Sequence, residues 1–453
     1  MLKNISKVFS ANLVNMLISI LTAFLLPYFL TVDSYAELKT FTFYVSYLGI
    51  LQLGFVDGMY IKYGGKKISE ISTKVFFDER KTFVLLQIVL AVIALSISLF
   101  FQNTIFILLA ISVIPINLFF FYRQFFQAVG EFSLFAVTTT MYAAIPFVLN
   151  LILMLVFKTQ NPVYYCLSTI LGYVVIDYYF VFKSKFFENK KGHLNYAVMK
   201  ENIQVGVFVL FGNLSLNFIT ALDRWFISIF YDKSAFAFYS FAVSMLNIVN
   251  VVISSVSITF YNYLVGNRNE KQIKEIKNIL LVVGIIFMTA YFPLKFIVEL
   301  FIPEYIPSLD VIAISFMSFP FSIVINTLYV NLYKANKNER KYFTIVVGVL
   351  VISVIINTIM MQIVDGFVSV TIGSLVVYIL WYLYSQKDFS YLRSTLKELV
   401  FIASSLIIFY LCSRHLNVYS GFLVSLILLI GTIFIFMRST LIKIISFARG
   451  GSK

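Results

Sequence analysis

Residues 82–101 read TFVLLQIVLAVIALSISLFF, a run with no charged side chain. Residues 104–122 follow as TIFILLAISVIPINLFFFY, again uncharged. About 20 residues at 1.5 Å each cover the ~30 Å hydrocarbon layer of a bilayer. Neither run alternates apolar and polar positions, so barrel strands are excluded. Working outward, fourteen such stretches can be read: 8–30, 40–59, 82–101, 104–122, 134–157, 162–182, 203–231, 235–265, 278–302, 309–333, 342–363, 367–386, 399–412 and 418–437. Pro27, Pro115, Pro146, Pro293 and Pro320 fall inside them. Membrane helices tolerate proline because neighbours re-satisfy the freed carbonyls. Of the 453 residues 60% are apolar and 12% charged, against ~45–50% and ~25% in a soluble domain. These figures exclude a single-core soluble protein and a disordered chain. The expected class is all-α integral membrane, with about fourteen transmembrane helices.

Lysine and arginine set the orientation. With the N-terminus in the cytoplasm and each stretch crossing once, every Lys and Arg lies on the inner side except Lys39, Lys158, Arg224, Lys233, Lys295 and Arg414. This is the positive-inside pattern, and it puts both termini in the cytoplasm. It also accounts for the net charge of +14 as a signal facing anionic lipid rather than nucleic acid. The two cysteines, Cys166 and Cys412, lie in apolar runs, and the two histidines, His193 and His415, are far apart. No metal site, disulfide framework or catalytic centre is therefore expected, and no cofactor. No G-x-x-x-x-G-K-[ST] occurs, and the gaps between stretches leave no room for a nucleotide-binding domain. The first stretch is too long for a cleaved signal peptide.

The chain reads as duplicated. Residues 1–200 form an N-terminal six-helix lobe, 201–386 a C-terminal six-helix lobe, and 387–453 two additional helices with a cytoplasmic tail. Six is even, so both lobes enter from the cytoplasm and are related by a pseudo-two-fold along the membrane normal. Ala11-Asn12-Leu13 is echoed by Gly212-Asn213-Leu214, and Tyr35-Ala36-Glu37 by Phe238-Tyr239-Ser240.

Stretch one carries Asn12, Asn15, Ser19 and Thr22, and stretch seven carries Asn213, Asn217, Thr220 and Arg224. Both sets recur every three or four residues, so each makes a polar stripe on one helix face. Two readings fit: the stripes line a cavity that binds a polar substrate, or they hydrogen-bond helix to helix. Arg224, an always-charged fork, suits a phosphate. Asp223 beside it is a poor ion-pair partner, because adjacent positions diverge by ~100°. Asp57, Lys62, Arg123 and Asp177 are candidates for gating or ion coupling. For each there is a plainer reading: close packing at Asp57-Gly58 and Gly64-Gly65, snorkelling for Arg123, and hydrogen bonds from Tyr178 or Tyr179 for Asp177. Lys295 and Glu299, four apart, are expected to pair. Much of the aromatic content, 50 Phe and 29 Tyr, is expected at the lipid interface.

Three segments carry a resemblance. QLGFVDGMYIKYGGK (52–66), LFIPEYIPSL (300–309), and DRWFISIF (223–230) running towards FYSFA (238–242) look like the bacterial oligosaccharide flippases of O-antigen and capsule pathways (Wzx type). These belong to the multidrug/oligosaccharidyl-lipid/polysaccharide exporter superfamily. The resemblance covers essentially the whole chain. It implies two six-helix lobes around a cavity, two extra C-terminal helices, and location in the bacterial cytoplasmic membrane. It also implies a cargo, an oligosaccharide on undecaprenyl pyrophosphate, moved from inner to outer leaflet, with Arg224 the match for a pyrophosphate-binding cation. Implied partners are membrane lipids, a polysaccharide polymerase and a chain-length regulator. The rival readings are a drug/cation antiporter of the same superfamily, which would need deep acidic residues, and a membrane polysaccharide polymerase, which would need a large outer loop.

Overall fold

The computed structural model describes residues 2–183, 192–266, 269–336 and 338–448. The described residues form helices and turns, with no strand among them. The chain divides into two compact units, Met1–Phe218 and Ile219–Lys453.

The N-terminal unit holds α1 (Leu2–Phe29), α2 (Val32–Val45), α3 (Phe55–Tyr63), α4 (Thr73–Phe100), α5 (Thr104–Ala128), α6 (Phe132–Leu155) and α7 (Pro162–Lys183). It also holds the first part of α8 (Tyr196–Phe230). The C-terminal unit holds the rest of α8, then α9 (Lys233–Gly266), α10 (Glu270–Met288), α11 (Tyr291–Phe301), α12 (Ser308–Met317), α13 (Phe319–Val324), α14 (Val330–Ala335), α15 (Glu339–Ile363), α16 (Val368–Ser385), α17 (Leu396–His415), α18 (Val418–Phe436) and α19 (Arg438–Ala448).

Among the described residues ten helical segments are long and apolar enough to cross a membrane, or eleven if the bent pair Ser308–Met317 and Phe319–Tyr333 counts as one. Stretches seven and eight lie in α8 and α9, of 35 and 34 residues. The pair α12/α13 bends by 45° where Pro320 sits in the first turn of α13, and a π turn over Ile325–Tyr329 follows. Proline and π turns are the ordinary causes of such kinks.

Stretch two is not one helix. It divides into α2, a 3-10 turn over Leu48–Gln52, and α3. Leu53 and Gly54 between the turn and α3 are left-handed, with φ of 53° and 83°, a backbone that glycine takes without penalty. A break inside apolar surroundings strands backbone groups. A buried chain of amides meets that need: Gln52 Nε2 donates to Asn117 Oδ1 (2.9 Å), Asn117 Nδ2 to Gln87 Oε1 (2.7 Å), and Gln87 Nε2 to the Leu51 carbonyl (3.1 Å). Replacing Asn117, the middle link and fully buried, with leucine takes the partner from the Gln52 amide nitrogen and from the Gln87 amide oxygen. At ~1–3 kcal/mol per orphaned group, Asn117→Leu is expected to lower stability by about 3 kcal/mol, read by equilibrium unfolding in mixed micelles.

The helix contacts repeat between the units. In the first, α4 packs on α5, α6 on α7, α5 on α7, and α2 on α5; in the second, α10 packs on α13, α15 on α16, α12 on α16, and α9 on α12. These four pairings join stretch n and stretch n+6 to corresponding neighbours, whereas α1 on α6 and α2 on α7 have no counterpart among the contacts described. Helix α17 packs on α10, α12 and α18, and α18 also meets α11.

The aromatic side chains do more interior work than interfacial anchoring implies. The largest fully buried side chains are all Tyr or Phe. In the N-terminal unit Phe76 and Phe125 lie 4.3 Å apart between ring centres, and Phe126 stacks on Phe180 at 5.3 Å. Such pairs add ~0.5–1.5 kcal/mol each beyond area burial.

Candidate functional site

Of the polar positions singled out in the sequence, Asn213, Asn217, Thr220, Asp223 and Arg224 lie on α8. Its start is fixed by the N-terminal unit. Asn195 caps it, accepting from the Val198 N–H (3.2 Å). Asp78 of α4 accepts from the His193 N–H (2.6 Å), and Thr82 from the Asn195 N–H (3.0 Å). Further along, α8 crosses α3 with backbones in contact. A Cβ on Gly206 would lie 1.9 Å from the Gly54 carbonyl oxygen, and one on Gly58 would lie 2.0 Å from that of Asn202. Small residues four apart permit this approach in membrane helices.

Polar groups surround the crossing. Glu79, fully buried, accepts from Lys62 Nζ (3.1 Å), the Tyr63 hydroxyl (2.7 Å) and Asn202 Nδ2 (3.3 Å). Lys62 also pairs with Glu201 (3.1 Å). Burial works against the Lys62 ammonium, but Glu79 and Glu201 outweigh it and hold its pKa above the ordinary lysine range. Asn213 Nδ2 approaches Asp57 Oδ1 at 3.4 Å. The structure therefore brings Asp57, Lys62 and Asn213 into one region, where Gly58 serves close packing.

The last turns of α8 belong to the C-terminal unit. Asp223 is half-buried and accepts a 2.7 Å hydrogen bond from the buried Tyr239 hydroxyl of α9. It lines a cavity of about 70 Å³ with Leu222, Ser353, Ser374, Tyr378 and Trp381. That space suits a few waters and is too small for a sugar. Arg224, half-buried, occupies the next helical position, turned ~100° away. Asn217 is exposed, and the Thr220 side chain lies outside the described residues.

The stripe on α1 is divided. Asn12 and Ser19 are exposed. Asn15 donates to the Thr139 carbonyl of α6 (3.1 Å), and Thr22 turns back to the Ile18 carbonyl of its own helix (2.7 Å). Arg123 of α5 holds its guanidinium 4.9 Å from the Phe135 ring centre and 5.9 Å from that of Phe119, a cation–π seat. Asp177 of α7 is buried, and the cation whose charge reaches it is Arg80 of α4. Of the two tyrosines offered from sequence as its donors, Tyr178 and Tyr179, Tyr178 is 70% exposed and stacks on Phe182. Lys295 and Glu299 do pair, at 3.8 Å. Lys295 also approaches the Ser413 and Leu416 carbonyls at the end of α17 (3.5 and 3.4 Å), where a cation favours the helix dipole.

Sequence reading missed Glu79, Glu201, Asn202 and Tyr239. Asp78-Glu79 was the visible signal, an acidic pair in the otherwise basic segment before stretch three. Among the described residues no three His, Cys, Asp or Glu side chains converge as metal ligands would.

No protein-family model matches the sequence, and no curated protein matches it. Solved structures do match in fold. Lipid II flippase MurJ, in an inward closed conformation, superposes with a TM-score of 0.69 at 15% identity, over 97% of this chain and 100% of that one. An inward-facing multidrug resistance MATE family transporter of the MOP superfamily superposes with a TM-score of 0.58 at 14% identity, over 84% of this chain and 98% of that one. The chain is thus an all-helical, multi-pass membrane protein with the fold shared by the flippase MurJ and the MATE transporters.

Proposed function

We propose that the protein is a flippase that carries undecaprenyl-pyrophosphate-linked oligosaccharide units from the inner to the outer leaflet of a bacterial cytoplasmic membrane. Both termini are cytoplasmic in this reading, and the product feeds surface polysaccharide assembly. The observation that carries it is the likeness in fold to a lipid flippase over 97% of the chain. The motifs at 52–66, 223–230 and 300–309 support the same reading.

A charged, sugar-bearing head must cross ~30 Å of hydrocarbon. Two six-helix lobes that open alternately to each side replace water around that head while the prenyl tail stays in lipid. The sequence holds no P-loop to hydrolyse a nucleotide. An inside-negative potential favours outward movement of an anionic head by ~2.3 kcal/mol per charge per 100 mV. Arg224 is the phosphate contact in this mechanism, and Asn213, Asn217 and Thr220, with the exposed Asn12 and Ser19 of α1, bind the glycan.

Depleting the protein from its host is expected to leave labelled lipid-linked repeat units on the inner leaflet, and normal delivery to the outer leaflet would refute the assignment. At equal expression Arg224→Ala is expected to slow delivery about tenfold, equivalent to ~1.4 kcal/mol, with Arg224→Lys in between. Full transport by the alanine variant would remove Arg224 from the phosphate site. One observation favours a second reading, a cation-coupled antiporter: Asp223 is an acid lining a small cavity with Ser353, Ser374 and Tyr378. Uptake of a labelled organic cation driven by a proton or sodium gradient in proteoliposomes, lost in Asp223→Asn, would support it over the flippase.

A further inference from the structure

Helices α15 and α16 of the C-terminal unit leave a groove between them that encloses about 540 Å³. Its walls are apolar, from Ile345, Val349 and Ile352 on one helix and Val377, Leu380 and Leu383 on the other. Three of these, Ile352, Leu380 and Leu383, are 40–43% exposed. At one end stands Lys387. Its ammonium lies 5.2 Å over the Tyr384 ring, and among the described residues it has no carboxylate partner. The neighbouring acid, Asp388, is already held by Lys341 (2.6 Å) and the Tyr333 hydroxyl (2.7 Å).

Gly348 leaves the floor of the groove open. It sits in the interior of α15, where glycine is a poorer helix former than alanine. No heavy atom lies within 4 Å of where its Cβ would be, so close helix packing does not explain the missing side chain. A side chain there would project into the groove.

Length and charge select the occupant. From Thr344 to Ile352 the track runs about 12 Å at 1.5 Å per residue, close to the ~15 Å half-thickness of the hydrocarbon core. It is apolar along its length and cationic only at its mouth. We infer that the groove between α15 and α16 is a binding site for one anionic phospholipid of the surrounding bilayer, an acyl chain lying along Gly348 and the phosphate at Lys387. The groove shares Val349, Val377 and Trp381 with the small cavity at Asp223, but neither Arg224 nor the polar stripes line it, and lipid retention reads it without transport.

The test uses the full chain in nanodiscs of equal phosphatidylglycerol and phosphatidylcholine with matched chains, followed by native mass spectrometry of retained lipid. The wild type is expected to retain one phosphatidylglycerol at least tenfold over phosphatidylcholine. Gly348→Leu, which fills open space and improves helix propensity, is expected to lose that lipid at least tenfold. Lys387→Gln is expected to keep a lipid but lose most of the preference for the anionic head. Gly431→Leu in α18, where a Cβ also meets nothing within 4 Å, should behave as wild type. Equal retention of the two lipids by the wild type, or wild-type retention by Gly348→Leu, would overturn the site. Displacement of the phospholipid by undecaprenyl phosphate at equal concentration would overturn it too, by giving the groove to the prenyl chain.

Discussion

Gly206→Leu is expected to leave no monodisperse protein after extraction, while Gly212→Leu on the same helix folds normally. The two glycines differ in what a side chain would meet. A Cβ at position 206 would lie 1.9 Å from the Gly54 carbonyl oxygen and 2.4 Å from the Gly58 amide nitrogen, whereas at 212 nothing lies within 4 Å. The obstacles at 206 are backbone atoms, so no side chain can swing aside. Overpacking ordinarily costs ~1–3 kcal/mol. Here α3 and α8 must separate, and separation also breaks the Lys62–Glu201 and Asn202–Glu79 contacts. Glu79 keeps Lys62 and Tyr63, so the loss there is one hydrogen bond to a charged group, a further ~1.5–3 kcal/mol. The measurement is size-exclusion yield and thermal unfolding of both variants at matched expression. Equal yields would mean that the α3–α8 crossing is not the close contact described.

The same crossing shows how far the sequence can be read. Gly54 and Gly58 stand four apart in GFVDGMYIKYGG beside Asp57 and Lys62, so a special backbone contact there was legible. Its partner was not. Gly206 and Asn202 lie about 150 residues away, and a one-dimensional pattern gives the face of a helix without saying what lies opposite. The stripe on α1 failed to resolve for the same reason: its period is correct, yet Asn15 meets the α6 backbone while Thr22 bonds to its own helix. Hydropathy located most of the stretches, ten or eleven of which qualify as spans among the described residues, because it sums over many residues. It blurred the break after Gln52, where the evidence rests on single amides, Gln52, Gln87 and Asn117, each isolated in an apolar run. It also shortened stretch thirteen. Residues 399–412 are apolar, but α17 runs from Leu396 to His415. Thr395 caps it by accepting from the Glu398 N–H (3.2 Å), and a capped first turn carries charge without ending the helix.

That charged first turn leads to the second large effect. Lys277 of α10 and Glu398 of α17 pair at 2.6 Å with side chains 0% and 4% exposed. The Lys277 ammonium also donates to the Leu392 carbonyl (2.7 Å) and Ser394 Oγ (3.2 Å). Glu398 accepts from Tyr382 (2.7 Å) and Ser394 (2.6 Å) as well. Removing either partner alone leaves a buried charge uncompensated, so Lys277→Met and Glu398→Leu are each expected to cost ~3–5 kcal/mol. The double variant removes both charges, and apolar replacements of a buried pair are often near neutral. Here the Leu392 carbonyl and the Ser394 hydroxyl lose a partner, at ~1–3 kcal/mol per orphaned group, while Ser394 keeps Gln386 and Tyr382. The double should therefore fall between wild type and either single, which requires a coupling of more than ~3 kcal/mol in the cycle. Equilibrium unfolding in mixed micelles reads it, and additivity within ~0.5 kcal/mol would show that the two act separately. The pair straps the segment after α16 to α10 and so holds α17 against the helices before it. If fastening is its whole role, the double variant, once folded, transports at the wild-type rate. A folded double variant with slow transport would instead make the charges themselves part of the moving machinery.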